Sequence, residues 1–327
     1  SLRQERKMTA SPRELLSIIG PTASGKTQLS LELARRLDGE IISVDSRQVY
    51  RFMDVGTDKA SPGVRREIPH HLIDVADPGE TFSAADFAAG ASRAVREILS
   101  RGKTPILAGG SPFYFKAFFT DVLHEGLERW DDSRGELEKE WDRGGSQELY
   151  RRLGDLDPEY ASRIHPNDRF RIIRALSIID RTGENPTGLR KGSSGVRKPF
   201  RPLYIGLYPG REALYRRIEE RVRRQFDAGY PEEVARLLSM GFGPELPSMK
   251  GFGYRELAAF HRGGMTLTAA AEGDIRATKA FARRQMTWFR RFTPCLWYYV
   301  TVGSIPEIAR KVVGLWEARQ GERPGWS

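Results

Sequence analysis

The stretch Gly20-Pro-Thr-Ala-Ser-Gly-Lys-Thr27 fits the phosphate-loop pattern G-x-x-x-x-G-K-[ST] at every fixed position. It stands between a short β-type apolar run, Leu15–Ile19, and a helix-period stretch, Gln28–Leu37. Backbone amides and a helix N-terminus can then turn together onto an anion. A strand–loop–helix unit of this kind buries its strand in a parallel sheet with helices on both faces. The N-terminal third continues in that manner. Glu40–Val44 reads as a second strand ending at Asp45, and Leu72–Val75 as a third. Phe82–Ser100 reads as a helix, with Ser83 as cap and Asp86 three residues on. Thr104–Ala108 reads as a further buried strand closed by Gly109 and Gly110. The expected class is α/β, with a P-loop parallel-sheet core.

The pattern changes after about residue 123. From 124 to 197 the apolar runs shorten, charge rises, and no convincing strand appears. The best helix there is Arg169–Arg181, capped by Asn167 or Asp168 and closed by Thr182 and Gly183. Lys191–Arg197 has the composition of a loop. Leu203–Leu207 restores a strand, the last third is mostly helical, and a short strand follows at Leu296–Val300. The expected organisation is a catalytic core over 13–123 and 198–327, with a helical insertion domain over 124–197. No internal repeat is visible.

The net charge is +10 and the pI about 9.8. Such a balance points to a polyanionic partner, nucleic acid before a merely solubilising role. Cys295 is the only cysteine, which excludes an internal disulfide and suits a reducing, cytoplasmic setting. No apolar run reaches the ~18 residues of a membrane span. Ser1–Arg13 lacks the apolar region of a secretory signal and reads as a lead segment, with Met8 as a candidate start. A monomer is expected.

Within the phosphate loop, Lys26 should hold a diphosphate and Thr27 should ligate Mg²⁺. The strand Thr104–Ala108 ends in Gly-Gly-Ser, where many nucleotide hydrolases place an Asp for the metal. That weakens a triphosphatase reading and leaves small-molecule kinases open. Asp45, at a strand end where ligand sites in open α/β sheets gather, is either a reacting carboxylate, a helix cap or a group that holds a water on Mg²⁺. Arg171, Arg174 and Arg181 share a helix side, either for RNA or as plain surface charge. Arg276–Arg291 holds six cations and no acidic residue, interleaved with Phe281, Trp288 and Phe289. Its cations suit an RNA backbone, and its aromatics are better read as core. The adjacent His70 and His71 have no third ligand at zinc spacing. His165, before Pro166, reads as a turn, and Cys295 as a buried, inert thiol.

Several separated motifs together resemble the tRNA dimethylallyltransferase (tRNA isopentenyltransferase) family over roughly Leu15 to Trp288. They are the phosphate loop, Ile42-Ser-Val-Asp-Ser46, Met53-Asp-Val-Gly-Thr57, His70-His-Leu-Ile-Asp74, Ile164-His-Pro-Asn-Asp168 with Arg171 and Arg174, Gly253-Tyr-Arg-Glu256, and Arg284-Gln-Met-Thr-Trp288. The resemblance implies a nucleotide-kinase-like core and prenyl transfer from dimethylallyl diphosphate to the N6 amine of the adenosine 3′-adjacent to the anticodon, in tRNAs reading U-initial codons. The partner implied is a tRNA anticodon stem-loop, with the base flipped out, and not DNA. Asp45 matches the general base, Lys26 the diphosphate clamp, and Ser111 a hydroxyl near the reacting centre. Gly20, Thr22, Ala23, Ser24, Gly25, Lys26 and Thr27 match the diphosphate site, with Arg217 and Arg221 beyond it. Asp45, Ser46, Gln48, Arg134, Arg171, Arg174, Lys279, Arg283 and Gln285 match tRNA contacts. The chain departs from the family at Gly109-Gly-Ser-Pro-Phe-Tyr114, where Pro112 fixes φ in place of a freely turning glycine and bears on the aim of the Ser111 hydroxyl. A Pro-rich stretch is also missing around Leu123–Trp130. The competing readings are an adenylate isopentenyltransferase, a P-loop small-molecule kinase, and an RNA-binding protein with a vestigial phosphate loop.

Overall fold

A computed structural model of the chain describes residues 12–120, 132–188 and 199–321. Six parallel strands form one sheet in the order β3-β2-β4-β1-β5-β6. They are β1 (Arg13–Ile19), β2 (Gly39–Val44), β3 (His70–His71), β4 (Thr104–Gly109), β5 (Phe200–Tyr208) and β6 (Cys295–Tyr299). In chain order the helices are α1 (Lys26–Arg36), α2 (Pro62–Glu67), α3 (Ala84–Ser100), α4 (Pro112–Phe119), α5 (Asp132–Glu140), α6 (Ser146–Leu156), α7 (Pro158–Ala161), α8 (Arg169–Thr182), α9 (Arg211–Asp227), α10 (Tyr230–Ser239), α11 (Tyr254–His261), α12 (Leu267–Phe289) and α13 (Ile305–Gly321).

The strands are apolar runs because both sheet faces are covered. Every residue of β1 after Arg13 is buried, and each such Leu or Ile stabilises by about 1.5–3 kcal/mol. Leu16, Ile18 and Ile106 pack with Leu29 and Leu33 of α1 and with Ile308, Ala309 and Val312 of α13. A second cluster joins Val49, Tyr50 and Met53 to Tyr230, Val234, Leu237, Tyr254 and Leu257. β1 lies between β4 and β5, so the strand order reverses around it. The crevice at the strands' C-terminal ends is where such sheets bind ligands.

One expected strand is not there. Sheet pairing stops at His71, and Leu72 and Asp74 have left-handed φ values of 62° and 57°. Lys59 and Arg65 donate to the two Asp74 oxygens at 2.7 and 2.6 Å. Leu72–Val75 is therefore a turn fastened by ion pairs, in which Ile73 is buried and Val75 is exposed.

The chain divides into two compact units: Ser1–Phe82, Gly90–Phe115 and Phe200–Ser327 in one, Ser83–Ala89 and Lys116–Pro199 in the other. The second is helical over its described residues. Its core gathers Leu149, Leu153, Ile164, Ile172, Ile173 and Leu176. Asp168 caps α8 by accepting the Arg171 N–H at 3.1 Å, and Gly183 closes that helix at φ 72°. Ser83 and Asp86 cap α3 reciprocally, as the spacing predicts. No helix among the described residues is long and apolar enough to cross a membrane.

Candidate active site

A cavity of about 810 Å³ opens across the C-terminal ends of the strands. The phosphate loop follows β1, Asp45 follows β2, and Gly110-Ser111 follows β4, so sheet topology alone brings the three together. The β2 and β4 ends must nearly touch: a Cβ on Gly109 would lie 2.0 Å from the Val44 carbonyl oxygen.

In the loop, Gly20 takes φ 150°, and a Cβ there would meet Leu207 O at 2.6 Å. Ala23 and Gly25 are left-handed at φ 61° and 101°, which coils the chain into the start of α1. Lys26 Nζ donates to Pro21 O at 2.7 Å. Burial pushes Lys26 down to about 7, against the opposing charge of Asp45. Ser24 Oγ is buried and has no hydrogen-bond partner among the described residues. Thr27 is exposed to the cavity beside it.

Arg217 and Arg221 of α9 line the same cavity. The Arg221 side chain is only 18% exposed, with its nearest carboxylate, Asp58, at 3.9 Å. Its Nε is buried and unpartnered among the described residues. Desolvation lowers its pKa, while Asp58, Asp274 and Asp45 oppose that shift. Arg221 is thus a largely buried cation at the cavity wall. Unpartnered donors at Ser24 and Arg221, beside a Lys26 ammonium that burial disfavours, suit an anion that brings its own charge.

At the other end, Asp45 Oδ1 accepts the N–H groups of Arg47 at 2.8 Å and Gln48 at 3.2 Å. Asp45 thus caps a turn, not a helix, and that role uses one oxygen and leaves Oδ2 for the cavity. Ser111 Oγ accepts the Ser46 N–H at 3.1 Å. Pro112 occupies the first turn of α4, where a fixed φ and missing N–H do no harm. The Ser111 hydroxyl therefore still borders the cavity.

A model of the IPP transferase family matches residues 48–292. A tRNA dimethylallyltransferase of Geobacter sulfurreducens is 42% identical over 307 residues, 93% of this chain and 98% of its own. A solved tRNA delta(2)-isopentenylpyrophosphate transferase of Staphylococcus epidermidis, 33% identical, superposes with TM-score 0.68 over 94% of this chain and 99% of its own. A eukaryotic dimethylallyltransferase solved acting on tRNA, 25% identical, gives TM-score 0.81 over 96% of this chain and 81% of its own. The chain belongs to the IPP transferase family.

Two residues expected to meet RNA have other partners in this IPP transferase. Gln285, buried on α12, accepts the Thr22 N–H at 2.9 Å and donates to Gly110 O at 2.6 Å. Both ends of its amide thus brace the phosphate loop against the β4 end. Gln48 accepts from Ser43 Oγ at 2.8 Å and donates to Thr57 O at 3.1 Å. Ser46 and Arg283 are exposed. Lys279 pairs with Glu219 and lies 5.3 Å from the Tyr215 ring centroid. In the helical unit, Arg171 is exposed and pairs with Asp168 at 2.9 Å, and Arg174 lies 6.0 Å from the Phe170 ring. The side chains of Arg134 and Arg181 lie outside the described residues.

Along α12 of the IPP transferase, Phe289 is buried as expected, but Trp288 is 39% exposed. Phe281 stacks on Phe252 at 5.1 Å and borders the cavity. His70 bonds Ile68 O and His71 bonds Glu40, each at 2.7 Å. His165 Nδ1 accepts the Asn167 N–H in a turn. Cys295 is only half-buried, on the edge strand, and burial still pushes its thiol up to about 12.

Reasoning from sequence missed Arg47 and Glu233. Glu233, 1% exposed, accepts the N–H groups of Asp54, Val55 and Gly56 at 2.8, 2.7 and 3.1 Å and the Tyr254 hydroxyl at 2.7 Å. It clamps the turn that carries Thr57 and Asp58 to the cavity. A lone Glu in a helix gives no such signal; Arg47 was marked only by standing between Asp45 and Gln48.

Proposed function

We propose that this chain transfers a dimethylallyl group from dimethylallyl diphosphate to the N6 amine of the adenosine 3′-adjacent to the anticodon of tRNA. The observation that carries this reading is one cavity with a phosphate loop at one end and Asp45 with Ser111 at the other, in a chain that matches a tRNA dimethylallyltransferase from end to end. The diphosphate is held by the amides of Gly20–Thr27, by Lys26 and by Arg217 and Arg221. The adenine enters beside Asp45. N6 attacks the allylic carbon, the carbon–oxygen bond breaks, and diphosphate departs with the electron pair. Asp45 Oδ2 takes the N6 proton as the new bond forms, which makes a delocalised amine a competent nucleophile. Lys26 and the arginines neutralise the leaving group.

Among the described residues no group of three or more His, Cys, Asp or Glu could hold a metal by itself. Thr27 alone suits Mg²⁺, which keeps waters and binds mainly through substrate phosphates. When bound it would add positive charge at the leaving diphosphate. For the RNA we assign residues 124–197 as the insertion domain that grips the anticodon stem-loop through Arg134, Arg171 and Arg174. Ser46, Lys279 and Arg283 contact the same RNA from the core formed by 13–123 and 198–327. The protein works as a cytoplasmic monomer.

The test incubates the protein with Mg²⁺, labelled dimethylallyl diphosphate and either unmodified tRNA or AMP. Label in tRNA, abolished by Asp45→Ala, is expected. Label in AMP would make the chain a cytokinin-type transferase. Label in neither, with ATP consumed, would return it to the kinases.

A further inference from the structure

Arg47 is assigned no part in the reaction above, yet its side chain is built into the wall of the site, although its Nε has no hydrogen-bond partner among the described residues. Its Nη2 donates to Phe252 O at 2.9 Å. Its guanidinium carbon lies 4.4 Å from the Phe252 ring centroid and 5.1 Å from that of Tyr254. Gly251 completes the enclosure: a Cβ there would come within 2.9 Å of Nη2. Burial opposes the charge of Arg47, and the nearby carboxylates of Asp274 and Asp45 favour it. A cation over two rings and one carbonyl, away from bulk water, has few other places to go.

The backbone of the same residue holds the reacting carboxylate, since the Arg47 N–H donates to Asp45 Oδ1 at 2.8 Å. Residue 47 is thus fixed at both ends, by Asp45 through its amide and by the 251–254 turn through its side chain. That turn is fixed in its own right: Glu256 accepts the Gly253 N–H at 2.7 Å, and Tyr254 donates to Glu233 at 2.7 Å. Gln48, the other residue that caps Asp45, is held by Thr57 O on the turn that Glu233 clamps.

We propose that Arg47 is a positioning residue for Asp45, locking the 45–48 turn to the start of α11 so that Oδ2 is aimed at the entering amine. The proposal rests on the transfer reading above. It separates aim from affinity: Arg47 lines the cavity, but its Nη2 donor and its ring contacts are taken by the 251–254 turn, so its loss should lower turnover and leave both binding steps alone.

The experiment measures kcat, the KM for dimethylallyl diphosphate and the Kd for tRNA in Arg47→Met and Arg47→Lys, alongside the crystal structure of Arg47→Met. The expected result for Arg47→Met is a fall in kcat of about ten- to a hundredfold, as for a small misplacement of a reacting group. KM and Kd stay within twofold, and Arg47→Lys recovers much of kcat by restoring a cation over the Phe252 ring. In the crystal, the Asp45 carboxylate shifts or leaves the Arg47 N–H. Should Arg47→Met fold poorly, Phe252→Leu, which removes the ring and keeps the carbonyl, must lower kcat in the same sense and less than additively with Arg47→Lys. An unchanged kcat, a rise in KM with kcat intact, or an Asp45 carboxylate left in place in the crystal would each overturn the proposal. The crystal outcome reads the positioning directly, so it decides even if the wild-type chain proves inactive on tRNA and the transfer reading itself falls.

Discussion

The two ends of the cavity are held in opposite ways. At the diphosphate end the phosphate loop is local, since Gly20 to Thr27 are consecutive and the loop's shape follows from its own φ values and the start of α1, and Arg217 and Arg221 only join it from α9. The Asp45 end is assembled from afar. Arg47 reaches Phe252 across 205 residues, and Val55 reaches Glu233 across 178. Gln285 ties the loop to the β4 end, from 263 residues beyond Thr22. A phosphate needs many weak donors at ordinary spacing, which a short loop supplies. A carboxylate that must accept one proton needs a single exact aim, which a rigid surround supplies.

Substitution should separate the ends, and the largest effect belongs to Asp45. Asp45→Asn is expected to lower kcat by about 10²–10⁴-fold, the usual worth of a general base, while calorimetry finds donor binding unchanged. Lys26→Ala should instead weaken donor binding together with turnover. If both variants lost donor affinity equally, the division of labour would fail.

Glu233→Gln comes next, because the amide presents hydrogens to a site of three N–H groups and a hydroxyl. It should lower stability by about 2–3 kcal/mol in urea denaturation and cut turnover through the Asp45 end. A stable variant with full activity would show that the distant clamp is dispensable.

Gln285→Leu keeps the volume and removes both bonds. We expect the donor KM to rise by about tenfold, near 1.4 kcal/mol, with tRNA affinity unchanged in filter binding. A selective loss of tRNA affinity would restore Gln285 to the RNA surface and leave the two ends uncoupled.

The smallest effect lies at the opposite end of β2, far from the chemistry. Burial alone would raise the Glu40 carboxyl, but bonds from Arg101 and His71 prevail and hold it below its ordinary 4.5. Its stabilising contribution is then full above pH 4.5 and is lost as pH falls through the lower folded value. Glu40→Gln should flatten that acid limb in thermal melts and leave prenyl transfer untouched; a loss of activity would extend the positioning network along the whole strand.

Much of this was legible in the chain. The phosphate loop, Asp45, the strands at 15–19, 40–44, 104–108 and 203–207, and the Arg169 helix with its Asp168 and Gly183 ends all depend on neighbours within a few residues. The turn at Leu72–Val75 was misread because its apolar side chains carry the strand signal, while the Lys59 and Arg65 contacts that fold it back are tertiary. The bonds that Gln285 and Gln48 make within the protein were not legible, because a motif records that a residue matters and says nothing of which way its amide points.

By itself, then, the sequence determined the layered α/β core and the presence of a phosphate-binding turn, since dihedral preference and apolar periodicity act over short spans. Only the tertiary structure decided which oxygen of Asp45 is free, that Arg221 is buried rather than solvated, and that Arg47, Glu233 and Gln285 hold the site together. Those outcomes depend on what surrounds each polar group, and that is set by packing between residues hundreds of positions apart.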